Sequence, residues 1–294
     1  MSSDNVVRLL LLSAIWGASF LFMRVAAPVL GPGLLIFCRV GLAAAFLLLV
    51  ALYLGKTLDA RRHWRYYGIL GLLGSTLPFT LFAFAAKTLS ASLLSILNAT
   101  APIWGAVVTG IWTRTGIGRR QALGLGLGVA GVVVIAGVES LHLPEGAWLA
   151  IGAAVLAPLS YGIATNYAQS AGRVEPFANA HGSMWGATVW TLPLLALFPV
   201  EVAMPGPAVL GSVLALGILC SGIAFLLYFR LLLDLGPAQT LTVTFLIPVF
   251  GILWGALILG EPVGWHTFLG TAIVLAGTRL ATSLGPATPC PARG

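Results

Sequence analysis

Side chains able to do chemistry are few in this chain, and their spacing carries more information than their types. Ser75, Phe79 and Phe82 stand four and three residues apart, which puts a hydroxyl and two rings on one face of a helix. Shifted by 146 residues, the pattern returns as Ser221, Phe225 and Tyr228. Leu94, Asn98 and Pro102 return in the same way as Thr240, Thr244 and Pro248. With a shift of 145, Trp16, Ser19 and Phe20 become Tyr161, Ala164 and Thr165. Together these faces offer stacking, apolar contact and neutral hydrogen bonds, which suits the wall of a site for an amphipathic small molecule. Asn98 carries the most weight. A carboxamide facing lipid would leave donors and acceptors unmatched, so it must face protein or a water-filled cavity.

Other chemistries find little support. The acids Asp4, Asp59, Glu139, Glu145, Glu175, Glu201, Asp234 and Glu261 fall at helix ends or in loops. No carboxylate is evident at midspan, where ion-coupled carriers usually keep one, and this favours facilitated diffusion or exchange over obligate proton coupling. Ser183 and His181 are two apart, face different ways on a helix and have no acid beside them, so the chain does not read as an enzyme. There is no GxxxxGK[ST] loop for ATP. Cys38, Cys220 and Cys290 make an odd count, two of them in apolar runs, and read as small apolar filler. No metal or organic cofactor is implied. Two readings fit Arg24 and Arg39, which lie toward the outer ends of their helices: snorkelling or structural pairing, or an anchor for an anionic group of a ligand.

The elements that must position these faces follow from composition. Of 294 residues, 59% are hydrophobic and 8% charged, with mean hydropathy +1.01. A soluble domain carries roughly 25% charged residues, so this is an integral membrane protein whose partner is the lipid bilayer. The excess of seven positive charges does not point to nucleic acid, because Lys and Arg are scattered in short loops between apolar runs. A bilayer core of ~30 Å needs about 20 apolar residues per helix. Ten stretches qualify: 6–26, 33–54, 66–86, 89–112, 119–138, 146–169, 176–198, 207–232, 237–259 and 264–283. The first is long enough to stay in the membrane and lacks a secretory cleavage site.

With the N-terminus inside, twelve of the fifteen Lys and Arg residues lie on the inner side, and only Arg24, Arg39 and Lys87 on the outer. Both termini are therefore expected in the cytoplasm, in an inner (plasma) membrane. Leu89–Val132 is echoed by Leu235–Thr278: Pro102, Gly105, Gly118, Gly124, Ala130 and Gly131 fall on Pro248, Gly251, Gly264, Gly270, Ala276 and Gly277. The expected fold is an all-α membrane protein of ten transmembrane helices in two five-helix repeats, 1–138 and 139–284, followed by a disordered tail at 285–294. Five is odd, so the second repeat is inverted, the architecture of secondary transporters with a site near midplane where repeats meet. The paired faces then line a cavity between helices 1, 3, 4, 6, 8 and 9. Gly124, Gly126, Gly128 and Gly131 with Gly270 and Gly277 suit close packing of helices 5 and 10, within the chain or in a homodimer. The prolines at 28, 78, 102, 158, 193 and 248 fit hinges or local kinks equally well.

These residues resemble the drug/metabolite transporter superfamily in its EamA-type branch. The resemblance rests on Trp16-Gly17-Ala18-Ser19-Phe20 with Arg24, on Arg39, on Pro248, and on Gly260-Glu261-Pro262 followed by Gly270 and Gly277. It covers the chain to about Ser283. One departure stands out: the family's first repeat often carries a glutamate after helix 4, where this chain has Thr115 opposite its own Glu261. The resemblance implies a ten-helix exporter or facilitator with a central cavity, similar to YddG-like amino acid exporters. The expected cargo is an aromatic or apolar amino acid or a related small metabolite. A multidrug exporter would use the same aromatic walls but usually wants a buried carboxylate, and a non-transporting scaffold would need none of these faces.

Overall fold

The computed structural model describes residues 3–139, 147–171, 174–198, 204–235, 240 and 243–282. Among them every regular element is helical and no strand occurs. The tail from 285 and the joint at 140–146 between the two expected repeats lie outside the described residues.

Helix α1 (Ser3–Tyr53) holds the first two apolar stretches as two arms, separated by Gly31 at φ 69°, a backbone that side chains other than hydrogen rarely adopt. α2 (Ala60–Gly71), a π-helical turn (Leu72–Thr76) and α3 (Leu77–Ala85) run end to end as the third stretch. Arg61, Arg62 and Arg65 sit in the first turns of α2, not in a loop as their charge suggests. α4 (Ala91–Asn98) and α5 (Ala101–Trp112) divide the fourth stretch. Pro102 cannot donate to the Asn98 carbonyl four residues back, and the helix breaks there. Thr100 Oγ1 donates to Leu97 O at 2.7 Å and Thr278 Oγ1 to Ala99 O at 3.0 Å, satisfying carbonyls at the break.

The later elements are α6 (Arg119–Glu139), α7 (Ala147–Ser170), α8 (Pro176–Leu197) and α9 (Pro207–Leu214). A second π-helical turn (Ala215–Ile223) leads into α10 (Ala224–Leu235), then α11 (Val243–Leu259) and α12 (Trp265–Thr282). Pro248 stands inside α11 without dividing it, so prolines matched by the 146-residue shift do not impose the same backbone. The π turns do correspond: 72–76 shifted by 146 is 218–222, inside 215–223. Neither turn was visible in the apolar pattern.

Helix pairs meet through glycine. α6 and α12 lie along one another, and a Cβ on Gly277 would stand 2.7 Å from Gly124 O, one on Gly131 2.8 Å from Gly270 O. These glycines are thus taken up within the chain, and a second copy would have to use the outward faces of the two helices, where Leu123, Val133, Phe268 and Leu269 are exposed. Gly17, beside Trp16, brings α1 onto α11: a Cβ there would be 2.7 Å from Phe250 Cβ and 2.9 Å from Gly251 N. Among the described residues five helices are long and apolar enough to cross a membrane, one of them the two-armed α1. Leu52, Leu149 and Leu210 are exposed on such helices, as lipid contact requires and an aqueous surface would not favour.

Candidate functional site

One cavity of about 440 Å³ lies between the helices. α1 contributes Trp16, Ser19, Phe20, Met23 and Arg39 to its wall. The α2–α3 run adds Leu70, Gly74, Ser75, Phe79 and Phe82, and the α4–α5 break adds Asn98 and Ala101. Tyr161, Ala164, Thr165 and Ala168 come from α7, and Asn179, Ala180 and Ser183 from α8. Cys220, Phe225 and Tyr228 face it from the second π turn and α10, and Val243, Thr244 and Ile247 from α11.

Twelve of the fifteen residues expected from periodicity share this wall: Trp16, Ser19, Phe20, Ser75, Phe79, Phe82, Asn98, Tyr161, Thr165, Phe225, Tyr228 and Thr244. Three do not reach it. Leu94 is fully buried in the helix-packing core, and Thr240 is fully buried away from the cavity. Ser221 lies one residue behind, where its hydroxyl accepts a 3.0 Å bond from Arg39 Nε. Sequence reasoning missed the α8 wall altogether. Asn179 and Ser183 are four apart, which is a usable signal; Gly74, Ala101, Ala164, Ala168 and Ala180 make room by being small and look like ordinary packing residues.

The walls are aromatic and mildly polar. Phe20 and Phe82 meet edge to face at 5.4 Å, and Trp16 lies 5.6 Å from Tyr228 and 6.5 Å from Phe225. Asn179 Oδ1 is buried without a hydrogen-bond partner in the protein. Among the described residues no carboxylate lines the cavity, and Arg39 is the one charged residue in its wall. Arg39 is 4% exposed, with its guanidinium carbon 3.8 Å from the centre of the Phe79 ring and Nη1 3.7 Å from Met23 Sδ. Arg24 is different: its Nη1 donates at 2.8 Å to both Ala86 O and Lys87 O, tying α1 to the end of α3. For Arg24 the structural reading holds.

The two π turns are held symmetrically. Ala224 N–H donates five residues back to Leu219 O, and where that spacing reverts to four a carbonyl is passed over. The Cys220 carbonyl at this step accepts from Trp16 Nε1 at 3.2 Å. In the first π turn Leu77 N–H reaches back to Leu72 O, and Pro78 has no N–H to give; Ser160 Oγ donates to Leu73 O at 2.7 Å.

The cavity has unlike ends. Lys56 Nζ and Glu175 Oε1 are 2.7 Å apart, so α2 and α8 start on one face of the protein, and α3 ends on the other. Ala168 and Asn179 lie within a turn of the α7–α8 connection, so the cavity extends toward the Glu175 face. Phe20, Phe82, Phe79 and Arg39 close the opposite end. Beyond them Glu261 reaches across: Oε1 accepts from Ala91 N at 2.7 Å, and Oε2 from Ser92 N at 3.0 Å and Ser92 Oγ at 2.6 Å. Thr115, the counterpart of Glu261, instead has its hydroxyl 2.9 Å from that of Thr113.

A family model described as the EamA-like transporter family matches the chain twice, over residues 6–137 and 148–283. The "Uncharacterized transporter YoaV" of Bacillus subtilis is 23% identical over 91% of this chain and 93% of its own length. A Streptantibioticus cattleyicolor protein named "Probable terminal-alkyne amino-acid exporter" is 25% identical over 95% and 93%. A solved crystal structure matches with a TM-score of 0.66 at 19% identity, over 96% of this chain and 98% of that one, which shows a shared fold. The chain belongs to the EamA-like transporter family, and it is a multi-pass membrane protein.

Proposed function

We propose that this family member is a secondary transporter that exports, or facilitates passage of, amino acids and related small metabolites by alternating access through the central cavity. Aromatic and apolar amino acids come first. The observation that carries the reading is the wall itself: seven aromatic side chains with Asn98, Ser19, Ser75, Thr165 and Thr244 around about 440 Å³, a volume typical of small-molecule sites. The rings take the apolar body of the cargo, and the carboxamides and hydroxyls its amino and carboxylate groups. The relative named as an amino-acid exporter adds support from a distance.

The accompanying architecture is ten spans in two inverted repeats, 1–138 and 139–284, with both termini cytoplasmic in an inner membrane. The double family match and the π turns 146 residues apart support the duplication. The absence of a lining carboxylate among the described residues supports exchange or facilitated diffusion. In this orientation the Glu175 face is cytoplasmic, and the cavity extends to the inside.

Counterflow in proteoliposomes tests the reading. Vesicles hold one unlabelled amino acid at a time, and uptake of its labelled form is followed against empty liposomes. Accumulation of tryptophan, phenylalanine or methionine, lost in folded Asn98→Ala and Tyr228→Ala protein, is the expected result. No accumulation of any amino acid would remove the cargo assignment.

A further inference from the structure

A buried guanidinium in a membrane protein is costly unless something compensates it. Among the described residues, ion pairs join Arg8 and Arg230 to Asp234 and Lys56 to Glu175, and none of these reaches Arg39. Of its five N–H donors, Arg39 gives one to Ser221 and directs another at a thioether, a weak acceptor. The Phe79 face offsets part of the charge. The remaining donors make no hydrogen bond to the described residues, and the side chain lines the cavity. An arginine does not shed its proton, so the cavity keeps a fixed positive charge at its closed end.

We propose that Arg39 is the carboxylate anchor of the cavity and also the bolt of its closed end. This rests on the transport reading and narrows it: the cargo must carry a carboxylate, and a cationic amine of the same shape is rejected by like charge. A planar carboxylate fits the guanidinium fork through two parallel charge-assisted bonds, better than the single hydroxyl of Ser221. Arg39 belongs to the first matched segment and Ser221 to the second, so the Arg39–Ser221 bond ties the two across the closed end. Cargo that draws the fork inward breaks that tie. The differential affinity that a ligand needs to shift a conformational equilibrium is thereby built into one side chain.

The test uses detergent-purified full-length protein and four probes: tryptophan, indole-3-propionate (acid without amine), tryptamine (amine without acid) and inorganic phosphate. Thermal protection by the first two, absent for tryptamine, is expected for the wild type. Phosphate protecting as well as the acids would mean a general anion site and overturn the carboxylate assignment. Arg39→Gln should weaken protection by the acids about tenfold or more, while Arg39→Lys keeps the preference for acids with reduced affinity. Equal protection by tryptamine and tryptophan, or acid binding unchanged in folded Arg39→Gln, overturns the anchor. Counterflow separates the two claims. Acids that bind through Arg39 without any amino acid being carried would sink the transport reading alone. Amino acids carried equally by wild type and Arg39→Gln would sink the anchor alone. For the bolt, Cys220 in a Cys38→Ser, Cys290→Ser background is challenged with a charged methanethiosulfonate from the Glu261 face. Tryptophan should speed its modification, and an unchanged rate overturns the bolt.

Discussion

Removing the Glu261 carboxylate should destabilise the protein through a helix that Glu261 does not belong to. α4 begins at Ala91, and an isolated helix start leaves its first N–H groups without partners. Here Ser90 Oγ takes Leu93 N at 3.1 Å, and Glu261 takes Ala91 N, Ser92 N and the Ser92 hydroxyl. Glu261→Ala strands those three donors. At about 1 kcal/mol for each donor left unsatisfied, plus about 0.5 kcal/mol for the lost charge at the helix start, the loss approaches 3–4 kcal/mol. Glu261 is half-buried, so water recovers part of this, and about 2–3 kcal/mol is expected. Glu261→Gln keeps one acceptor oxygen but turns an amide N–H₂ toward Ser92, for about 1–2 kcal/mol. The assay is equilibrium unfolding of reconstituted protein in mixed micelles of increasing denaturing detergent. Glu261→Ala within about 0.5 kcal/mol of wild type, the usual range for a surface change, would refute the reasoning.

Four further outcomes are expected. Gly17→Ala pushes a methyl onto Phe250 Cβ and the Gly251 backbone and should cost about 1–3 kcal/mol in the same assay. Gly41→Ala, whose nearest neighbour would be Thr188 Cγ2 at 3.9 Å, should be neutral or stabilising. Trp16→Phe and Ser160→Ala each leave a buried π-turn carbonyl without its donor and should cost about 1–3 kcal/mol apiece by the same unfolding measurement; a large effect from one and none from the other would break the symmetry argued for the two turns. At Glu175, partial burial raises the carboxyl pKa, but the Lys56 ammonium and the Ala178 and Phe177 amides outweigh it and hold it below its ordinary value. A depressed folded-state value gives stability that is present above the unfolded pKa and lost as pH falls through the folded one. Lys56→Gln should therefore lower thermal stability at pH 7, by under about 1 kcal/mol because the pair is exposed, with the difference fading as pH falls through the depressed folded-state pKa.

The apolar runs and the paired faces were readable because burial in lipid forces composition and periodicity to be explicit. Ser75, Phe79 and Phe82 had to sit on one face whatever their helix packed against, and so did Phe225 and Tyr228. What periodicity cannot register is a change in the helical period itself. The π turns advance the chain at a different spacing, and Ser221 ends up one residue behind a cavity that its partner Ser75 lines. Prolines mislead for a related reason. Pro102 breaks its helix and Pro248 does not, because the outcome depends on which side chains catch the freed carbonyls, and Thr100 and Thr278 do so only at the first. Arg39 was recognised as an odd charge, but its direction depends on Phe79 and Ser221, residues 40 and 182 positions away in the chain.

The two ends of the cavity are bonded across the matched segments by different kinds of contact. At the Glu175 face the ties are Lys56–Glu175 and Arg8–Asp234, ion pairs at the surface that are worth little and are screened by salt. At the opposite face the Glu261 carboxylate takes three donors of a helix start in the first segment, and the buried Arg39 guanidinium donates to Ser221 of the second. Charge-assisted bonds shielded from water are the stronger set. The resemblance implies a glutamate in each repeat, which would brace both faces alike. This chain keeps Glu261 and has Thr115 in the other place, so one brace is missing on the Glu175 face, the face toward which the cavity extends. Thr115 in place of a second glutamate is thus one difference between the matched segments that accompanies the asymmetry, and the closure at the Glu261 face is the better made of the two.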